Sequence, residues 1–589
     1  MSDFIFSTKK IDKKTITKEI QTIYDNDYPL VQEFHGEWGS AGISVNPYNG
    51  FLPYENDYFI TFVVGGPLLM FRDNSFLANT DSFEGTKSIF ERWNTEQIKW
   101  DEDLSGPFTV LIINKETAEI SCITDLMSFI PVYNFSKSNE VSIGTHVDVL
   151  AEITNQSNKL DAVSLADFIL HGITTFPYTI YEDITQIEPS SIHNLKKNSL
   201  DFQSSHYWVP KEQNKHKSIK EASVSVRNGL TNFINKITAE TSNIAQFLSG
   251  GEDSRMLSGL LQGHQRDGHI FLDSINREGK IAQKVAEIYD VNLKLTTRDS
   301  MHYFNILPDC SNLVGSGSQY HHAHTYGFHQ SCQLNSYTAV FGGLLSDALL
   351  KGFRIKKIRG SGRFPFLPDV KKKIDKAEEK VKNSIINPSI IHDLNQRRQN
   401  HLDYIKRFRG NTADEWLSLW PISMNPSSPN IHVNRRLFCS YEPFTSSEIV
   451  KISAAVPQKW KMNRRLFHKV SKPYLKPSRW LFHGKGMLPY YSWPINSIVL
   501  FFTWIYRQVA KRTGLLKGNQ GPWGDWIKMM QSEEWQHFVM DNQDAIDRIP
   551  FTKINDQLIN LVEHKMLKVN QYVNLTQVLY ELNYSRKNL

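Results

Sequence analysis

In Phe247-Leu248-Ser249-Gly250-Gly251-Glu252-Asp253-Ser254-Arg255 an apolar run that began at Ile244 stops at a Ser-Gly-Gly turn. An acid and a hydroxyl follow, then a helical pattern through Met256, Leu257, Leu260 and Leu261. The succession predicts a strand feeding a glycine turn at a helix start. Such a turn presents backbone N–H groups to an anion, reinforced by the positive end of the helix dipole. Gly250 and Gly251 let the backbone approach phosphate with no Cβ in the way. Ser249 and Ser254 place hydroxyls beside it, and Asp253 is suited to hold magnesium against phosphate oxygens. The bland alternative is a Gly-Gly turn that joins strand to helix and binds nothing. A Walker loop is excluded, because the spacing is too short and no Gly-Lys-Ser/Thr follows.

Working outward, the pattern on either side alternates. Ile219 to Thr238 reads as a helix before the Ile244–Leu248 strand. His269 to Leu272 reads as a second strand, Lys280 to Tyr289 as a helix, and 293–296 and 339–341 as further strands. Alternation of this kind predicts a parallel sheet with crossover helices and ligands at the carboxyl ends of its strands. From about Lys371 onward helices dominate. Ser497 to Ala510, with Phe501, Phe502, Trp504 and Ile505, reads as a buried helix rather than a membrane anchor.

The first 205 or so residues differ, reading as short strands with turn signals. Tyr58 to Val64 ends at Gly65-Gly66-Pro67, and Phe108 to Asn114 with Glu119 to Thr124 predicts a hairpin about Lys115-Glu116-Thr117. Leu160 to Leu170 reads as a helix. The polar stretch 209–217 then reads as a linker, dividing the chain into 1–208 and 218–589.

A chain of 589 residues exceeds one typical core. Its 40% hydrophobic and 22% charged residues are those of an ordinary globular protein. Cys122, Cys310, Cys332 and Cys439 lie far apart, which excludes a disulfide framework or a CxxC zinc site and fits a reducing cytoplasm. No run approaches the ~20 apolar residues that span a bilayer, and the start lacks the apolar core of a signal peptide. The net charge of +6 is mild, but Lys351 to Arg363 and Lys459 to Lys485 are basic. These read as solvated faces, with an anionic partner as the alternative.

Ser-Gly-Gly-x-Asp-Ser resembles the pyrophosphatase loop of enzymes that split ATP into AMP and pyrophosphate. A second segment, Phe341-Gly342-Gly343-Leu344-Leu345-Ser346-Asp347, is similar to the Ser-Gly-Glu-Gly-Ser-Asp segment of asparagine synthetases. A third, Trp480-Leu481-Phe482-His483-Gly484-Lys485-Gly486, resembles their late Trp-Arg-x-Lys stretch. On these residues the chain resembles the asparagine synthetase family, as a divergent member akin to β-lactam synthetases and lasso-peptide cyclases. The resemblance implies an α+β, Ntn-hydrolase-like β-sandwich domain, then an α/β PP-loop ATP-pyrophosphatase domain with a parallel sheet and a helical C-terminal part. It implies ATP and Mg2+ as cofactors, with Asp253 and Asp347 as metal ligands and Gly343 beside the nucleotide. Lys485 would stabilise charge on the α-phosphate and on the oxyanion formed as an amine attacks. Gly106-Pro107-Phe108, Asp125 to Tyr133 and Ile184 to Pro189 look like segments of the family's glutaminase domain.

The departures are equally specific. The glutaminase fold needs a cysteine at position 2, and this chain has Ser2. The expected glutamate of the second motif is Leu344, the acid after the aspartate is Ala348, and Arg-x-Pro-Phe-Leu-Asp becomes Tyr441-Glu442-Pro443-Phe444-Thr445-Ser446. A replacement base is therefore sought in Ser318 to His324, with His322 as candidate; a metal cluster or a plain polar loop are the alternatives. Glu278 lies where the family often has a substrate-side acid. The expectation is an AMP-forming amide ligase without glutaminase activity, or else a non-catalytic nucleotide-binding scaffold. The expected partner is a small-molecule, peptide or sugar-acid substrate, with no nucleic acid, no transmembrane segment and a homodimer as the assembly considered.

Overall fold

The computed structural model describes all residues except 25–27, 49–50, 72–81, 198, 240, 360, 362–365, 374–376, 378–384, 514–520, 550–566 and 588–589. Arg363, the end of one basic run, thus lies outside the described residues.

The first 206 residues build two six-stranded antiparallel sheets. Strand Phe4–Ser7 is central to the first, pairing with Gly39–Val45 on one side and Glu140–Gly144 on the other. Its side chains alternate as a strand's must. Phe4 and Phe6 enter the core between the sheets, where Phe4 meets Phe62 of the second sheet. Ile5 points the opposite way, into a cluster with Ile16 and Ile20 of helix Thr15–Gln21 and Leu150 of helix Val147–Ile153. The second sheet carries the expected hairpin, Thr109–Asn114 against Ile120–Thr124. Its outer face is covered by Ile89 and Phe90 of helix Glu84–Asn94. Two sheets with helices outside both make four layers.

Asp125 shapes the turn that follows this hairpin. Its buried carboxylate accepts N–H groups from Phe108, Met127, Phe129 and Ile130 at 2.9–3.3 Å. Ser128, at φ 53°, completes the bend. The Asp125-to-Tyr133 segment is therefore a backbone knot within the sandwich.

After the extended 209–217 stretch, helix Ile219–Thr238 opens the second half, capped by Ser218. The parallel sheet has five strands, in the order Asn292–Thr297, Arg266–Leu272, Ile244–Phe247, Ala339–Phe341, Ser440–Tyr441. The fifth, two residues long, falls in the segment that the sequence marks only as a family departure. The halves are joined by one apolar cluster running from Ile5 and Phe135 to Leu307, Cys310 and Tyr572. A buried ion pair between Asp3 and Arg436, 2.6 Å, sits inside the same junction.

Helix Trp493–Arg512 corrects the expectation of a buried element. Phe502, Trp504 and Tyr506 are each more than half exposed. An apolar composition establishes that a helix has a face to cover, and only packing decides whether the chain covers it. Among the described residues no helix is long and apolar enough to cross a membrane.

Candidate functional site

Strands Ile244–Phe247 and Ala339–Phe341 are direct parallel neighbours, with Gln246 opposite Phe341. Two loops therefore leave the same sheet edge side by side. The first turns through Ser249, Gly250 and Gly251 into helix Glu252–Leu260, and Gly251 is its N-cap residue. The second passes Gly342 and Gly343 into the short helix Ser346–Leu350, with Leu345 at φ 71°. The two loops run close together, since a Cβ on Gly343 would come within 3.2 Å of Asp253 Cβ.

The two motifs meet through their acids. Ligand oxygens of Glu252, Asp253 and Asp347 all lie within 4.8 Å of one another, the one group of this kind among the described residues. Oxygen donors at this spacing suit a hard divalent cation such as magnesium. Lys351 takes up the same oxygens. Its Nζ lies 2.8 Å from Glu252 Oε1 and 2.6 Å from both Asp253 Oδ1 and Asp347 Oδ1. Ser346 Oγ donates to Asp253, and Arg464 pairs with the other oxygen of Glu252. Burial raises the Asp253 carboxyl above its ordinary value; Lys351 opposes this and Asp347 adds to it. Lys351 corrects the reading of its basic run as a solvated face. So does Lys461, which is fully buried against Glu415 and the Ser453 carbonyl.

The glycine turn is internally bonded. Ser249 N–H donates to Ser254 Oγ (3.1 Å), Gly251 N–H to Ser249 Oγ (3.0 Å), and Gly250 N–H to Glu278 Oε1 (2.8 Å). The amides expected to face phosphate are thus partnered from within, while the next helical turn's N–H groups have no intrahelical acceptor. Glu278 itself opens helix Arg277–Tyr289, capped by Asn276. Burial raises its carboxyl, with the Gly250 amide, Arg255 and Lys485 pulling the other way.

Arg255, in the glycine motif but without a role in the sequence reading, holds the third motif in place. Its guanidinium is fully buried and donates to the carbonyls of Gly250 (2.9 Å), Leu481 (2.7 Å) and Phe482 (2.7 Å). The His483–Lys485 turn is thereby drawn over the glycine loop, with Gly484 against Glu278 and Lys485 exposed at the rim. Ser249, Gly250, Gly251, Asp253, Ser254, Gly343, Asp347 and Lys485 therefore gather at one sheet edge.

His322 does not join them by any contact. It sits in the turn Tyr320–His322 beside His321 and His324, and His324 packs on Trp523 with ring centroids 4.3 Å apart. Burial pushes the His322 imidazole down to about 4, so it is neutral and weakly basic near pH 7. An ionisable group of neutral range beside the second loop is Glu442. It follows strand Ser440–Tyr441 and accepts the Leu344 N–H at 2.7 Å, and burial raises its carboxyl to about 7. A Cβ on Gly342 would collide with that carboxylate. Sequence reading misses Glu442 because its strand has only two residues.

Ser2 is fully buried, and its Oγ accepts the Asn46 N–H at 3.3 Å.

Residues 69–208 match a family of glutamine amidotransferase domains. The chain is 21% identical over 218 residues to the glutamine-hydrolyzing asparagine synthetase 3 of Bacillus subtilis (strain 168). That match spans 36% of this chain and 35% of the relative, about a third of its length. Two solved structures are also similar. One is an allosteric regulatory enzyme of purine biosynthesis (10% identity, TM-score 0.21, 50% of this chain and 80% of that one). The other is the glutamine phosphoribosylpyrophosphate amidotransferase of B. subtilis with ADP and GMP (8% identity, TM-score 0.21, 53% and 92%). The sequence is asparagine synthetase-like and glutamine amidotransferase-like.

Proposed function

We propose that this protein is an ATP-dependent, AMP-forming amide-bond ligase. The observation that carries the reading is the meeting of Asp253 and Asp347 on loops from adjacent parallel strands. A substrate carboxylate attacks the α-phosphorus of ATP, forming an acyl-adenylate and releasing pyrophosphate. An amine or ammonia then attacks the acyl carbon, and the bond to AMP breaks. Asp253, Asp347 and Glu252 would hold Mg2+, which neutralises charge on the leaving pyrophosphate when bound. Lys485, at the rim over the glycine loop, meets charge that develops on the α-phosphate and the oxyanion. Glu442, buried behind the second loop and bonded to the Leu344 N–H, would hold that loop in position, and the amine's proton would leave to solvent.

The burial of Ser2 supports a nitrogen source other than glutamine hydrolysed at that residue. ATP–pyrophosphate exchange measured across a panel of carboxylic acids tests the reading. Exchange that depends on one acid is expected, and its absence with every acid overturns it.

Lys351 favours a second reading. An ammonium already among the three acids is what a nucleotide-binding scaffold without catalysis would retain. Tight ATP binding with no exchange is the outcome that reading expects.

A further inference from the structure

Helix Trp493–Arg512 has the amphipathicity of a water-facing helix inverted. Polar side chains along it face the protein. Asn496 exchanges hydrogen bonds with the Leu488 backbone at 2.8 and 2.9 Å, Thr503 Oγ1 donates to the Gly486 carbonyl at 3.0 Å, and Arg507 donates to the Gly484 carbonyl at 2.8 Å. An apolar stripe faces out. Ile495, Phe502, Ile505, Tyr506 and Val509 recur at helical spacing, and each is exposed. The side chains that a helix normally buries are thus left in solvent, while those it normally shows to water anchor it to the Gly484–Leu488 backbone.

The charge beside this helix is of one sign. From 449 to 524 the sequence has no Asp or Glu and fourteen Lys and Arg, although the whole chain nearly balances 61 acids with 67 bases. Within that stretch Arg465, Lys469, Lys472 and Lys476 form one exposed stripe along helix Arg465–Leu475 and its cap, opposite buried Phe467 and Val470. Arg479 follows and is also exposed. No carboxylate among the described residues pairs with any of these five. Two tyrosines link the basic helix to the apolar one. Lys472 Nζ lies 5.3 Å from the centre of the Tyr490 ring, and His468 Nε2 bonds the Tyr490 carbonyl at 3.0 Å. Trp480, itself mostly exposed, packs on Tyr491, two residues before the apolar helix begins.

An occupant of this face must answer both a row of unpaired cations and an aliphatic stripe. Single-stranded nucleic acid would meet the cations, but it stacks on aromatic rings and would leave Ile495, Ile505 and Val509 in water. A second copy docked across the whole face by two-fold symmetry would set the basic stripe against itself. An anionic bilayer surface answers both, since its phosphates meet Lys and Arg while apolar side chains enter the boundary between headgroups and acyl chains. Trp and Tyr side chains favour that same level. We propose that this face docks on a membrane leaflet containing anionic phospholipid, with helix Trp493–Arg512 lying in the plane of the surface. The helix rests on the bilayer and does not cross it, for which it is not long and apolar enough.

Flotation of the full chain with vesicles of phosphatidylcholine, alone or mixed equally with phosphatidylglycerol, tests this. Binding to the mixed vesicles is expected to exceed binding to phosphatidylcholine by about tenfold or more, and to weaken as salt is raised. The double variant Phe502→Ser, Ile505→Ser and the triple variant Lys469→Gln, Lys472→Gln, Lys476→Gln should each lose about tenfold or more of it. All five positions are exposed, and the salt series on the parent chain needs no variant. Lys9→Gln with Lys10→Gln, exposed bases after strand Phe4–Ser7, leaves binding unchanged. The proposal is overturned by equal binding to both kinds of vesicle, by parent-like binding of either surface variant, or by an equal loss in the Lys9, Lys10 control. Capture of single-stranded RNA without vesicle binding also overturns it, as does a dimer that Phe502→Ser, Ile505→Ser dissolves in a chain that binds no vesicle.

Discussion

Lys351 Nζ lies 2.6 Å from Asp347 Oδ1, one helical turn earlier in the same loop, and 2.6 Å from Asp253 Oδ1 on the neighbouring strand's loop. The lysine thus ties two sequence motifs 94 positions apart in a single electrostatic unit (347 minus 253). A divalent cation and this ammonium are competitors for the same oxygens.

Removing the lysine leaves three carboxylates facing one another. Lys351→Met is expected to lose about 2–3 kcal/mol of stability, less than a fully buried pair would, because Asp347 is half exposed. Added Mg2+ should return much of that loss in the variant and little in the parent. Urea melts with and without magnesium measure both.

Arg255 positions rather than reacts. Arg255→Met breaks three hydrogen bonds that join the glycine loop to Leu481 and Phe482. ATP affinity is expected to fall about tenfold or more, ~1.4 kcal/mol, as Lys485 loses its seat. Arg255→Lys should rescue only in part, since an ammonium lacks the planar fork. Nucleotide titration by fluorescence or calorimetry decides.

Asp253→Asn and Asp347→Asn should each lower acid-dependent ATP–pyrophosphate exchange about 100-fold, or ~2.7 kcal/mol, with folding retained. Equal exchange in parent and variants would remove the acids from the chemistry.

Glu442 governs a pH dependence of stability. Its folded carboxyl titrates at about 7, above the ordinary glutamate value of 4.5. Between those values the folded state binds more protons than the unfolded chain, so stability falls as pH rises from about 4.5 to 7, by up to about 3 kcal/mol. Asp125, also raised to about 7 by burial, acts in the same direction. Glu442→Gln keeps an oxygen for the Leu344 N–H and should flatten the decline by its own share. Denaturant midpoints at pH 5 and pH 8 provide the comparison.

Ser2→Cys is expected to produce no glutamine hydrolysis, because the side chain at that position is enclosed. Release of glutamate from glutamine by the variant would show that the sandwich keeps a working glutaminase pocket.

The strands and helices around the glycine turn are legible in the amino-acid pattern. Ile219–Thr238 and Ala339–Phe341 have the expected bounds, the first marked by a 3.6-residue apolar period and the second by a short apolar run that stops at glycines, both local properties of the chain. Asp253 and Asp347 are legible for the same reason, as each follows a strand that ends at a glycine turn. What local pattern does not contain is partnership across the sheet. A lysine in a basic run reads as solvated until packing encloses it among Glu252, Asp253 and Asp347. A two-residue strand carries too few positions for a period, so Glu442 stays hidden in the sequence. Helix Trp493–Arg512 reads as buried, yet among the described residues no other element covers Phe502, Trp504 and Tyr506. By itself the sequence determined the order of elements and the places where the chain turns, because those follow from neighbours along the backbone. Burial, and with it the charge each acid feels, was decided only in the tertiary structure, because it depends on what distant segments bring into the same low-dielectric space.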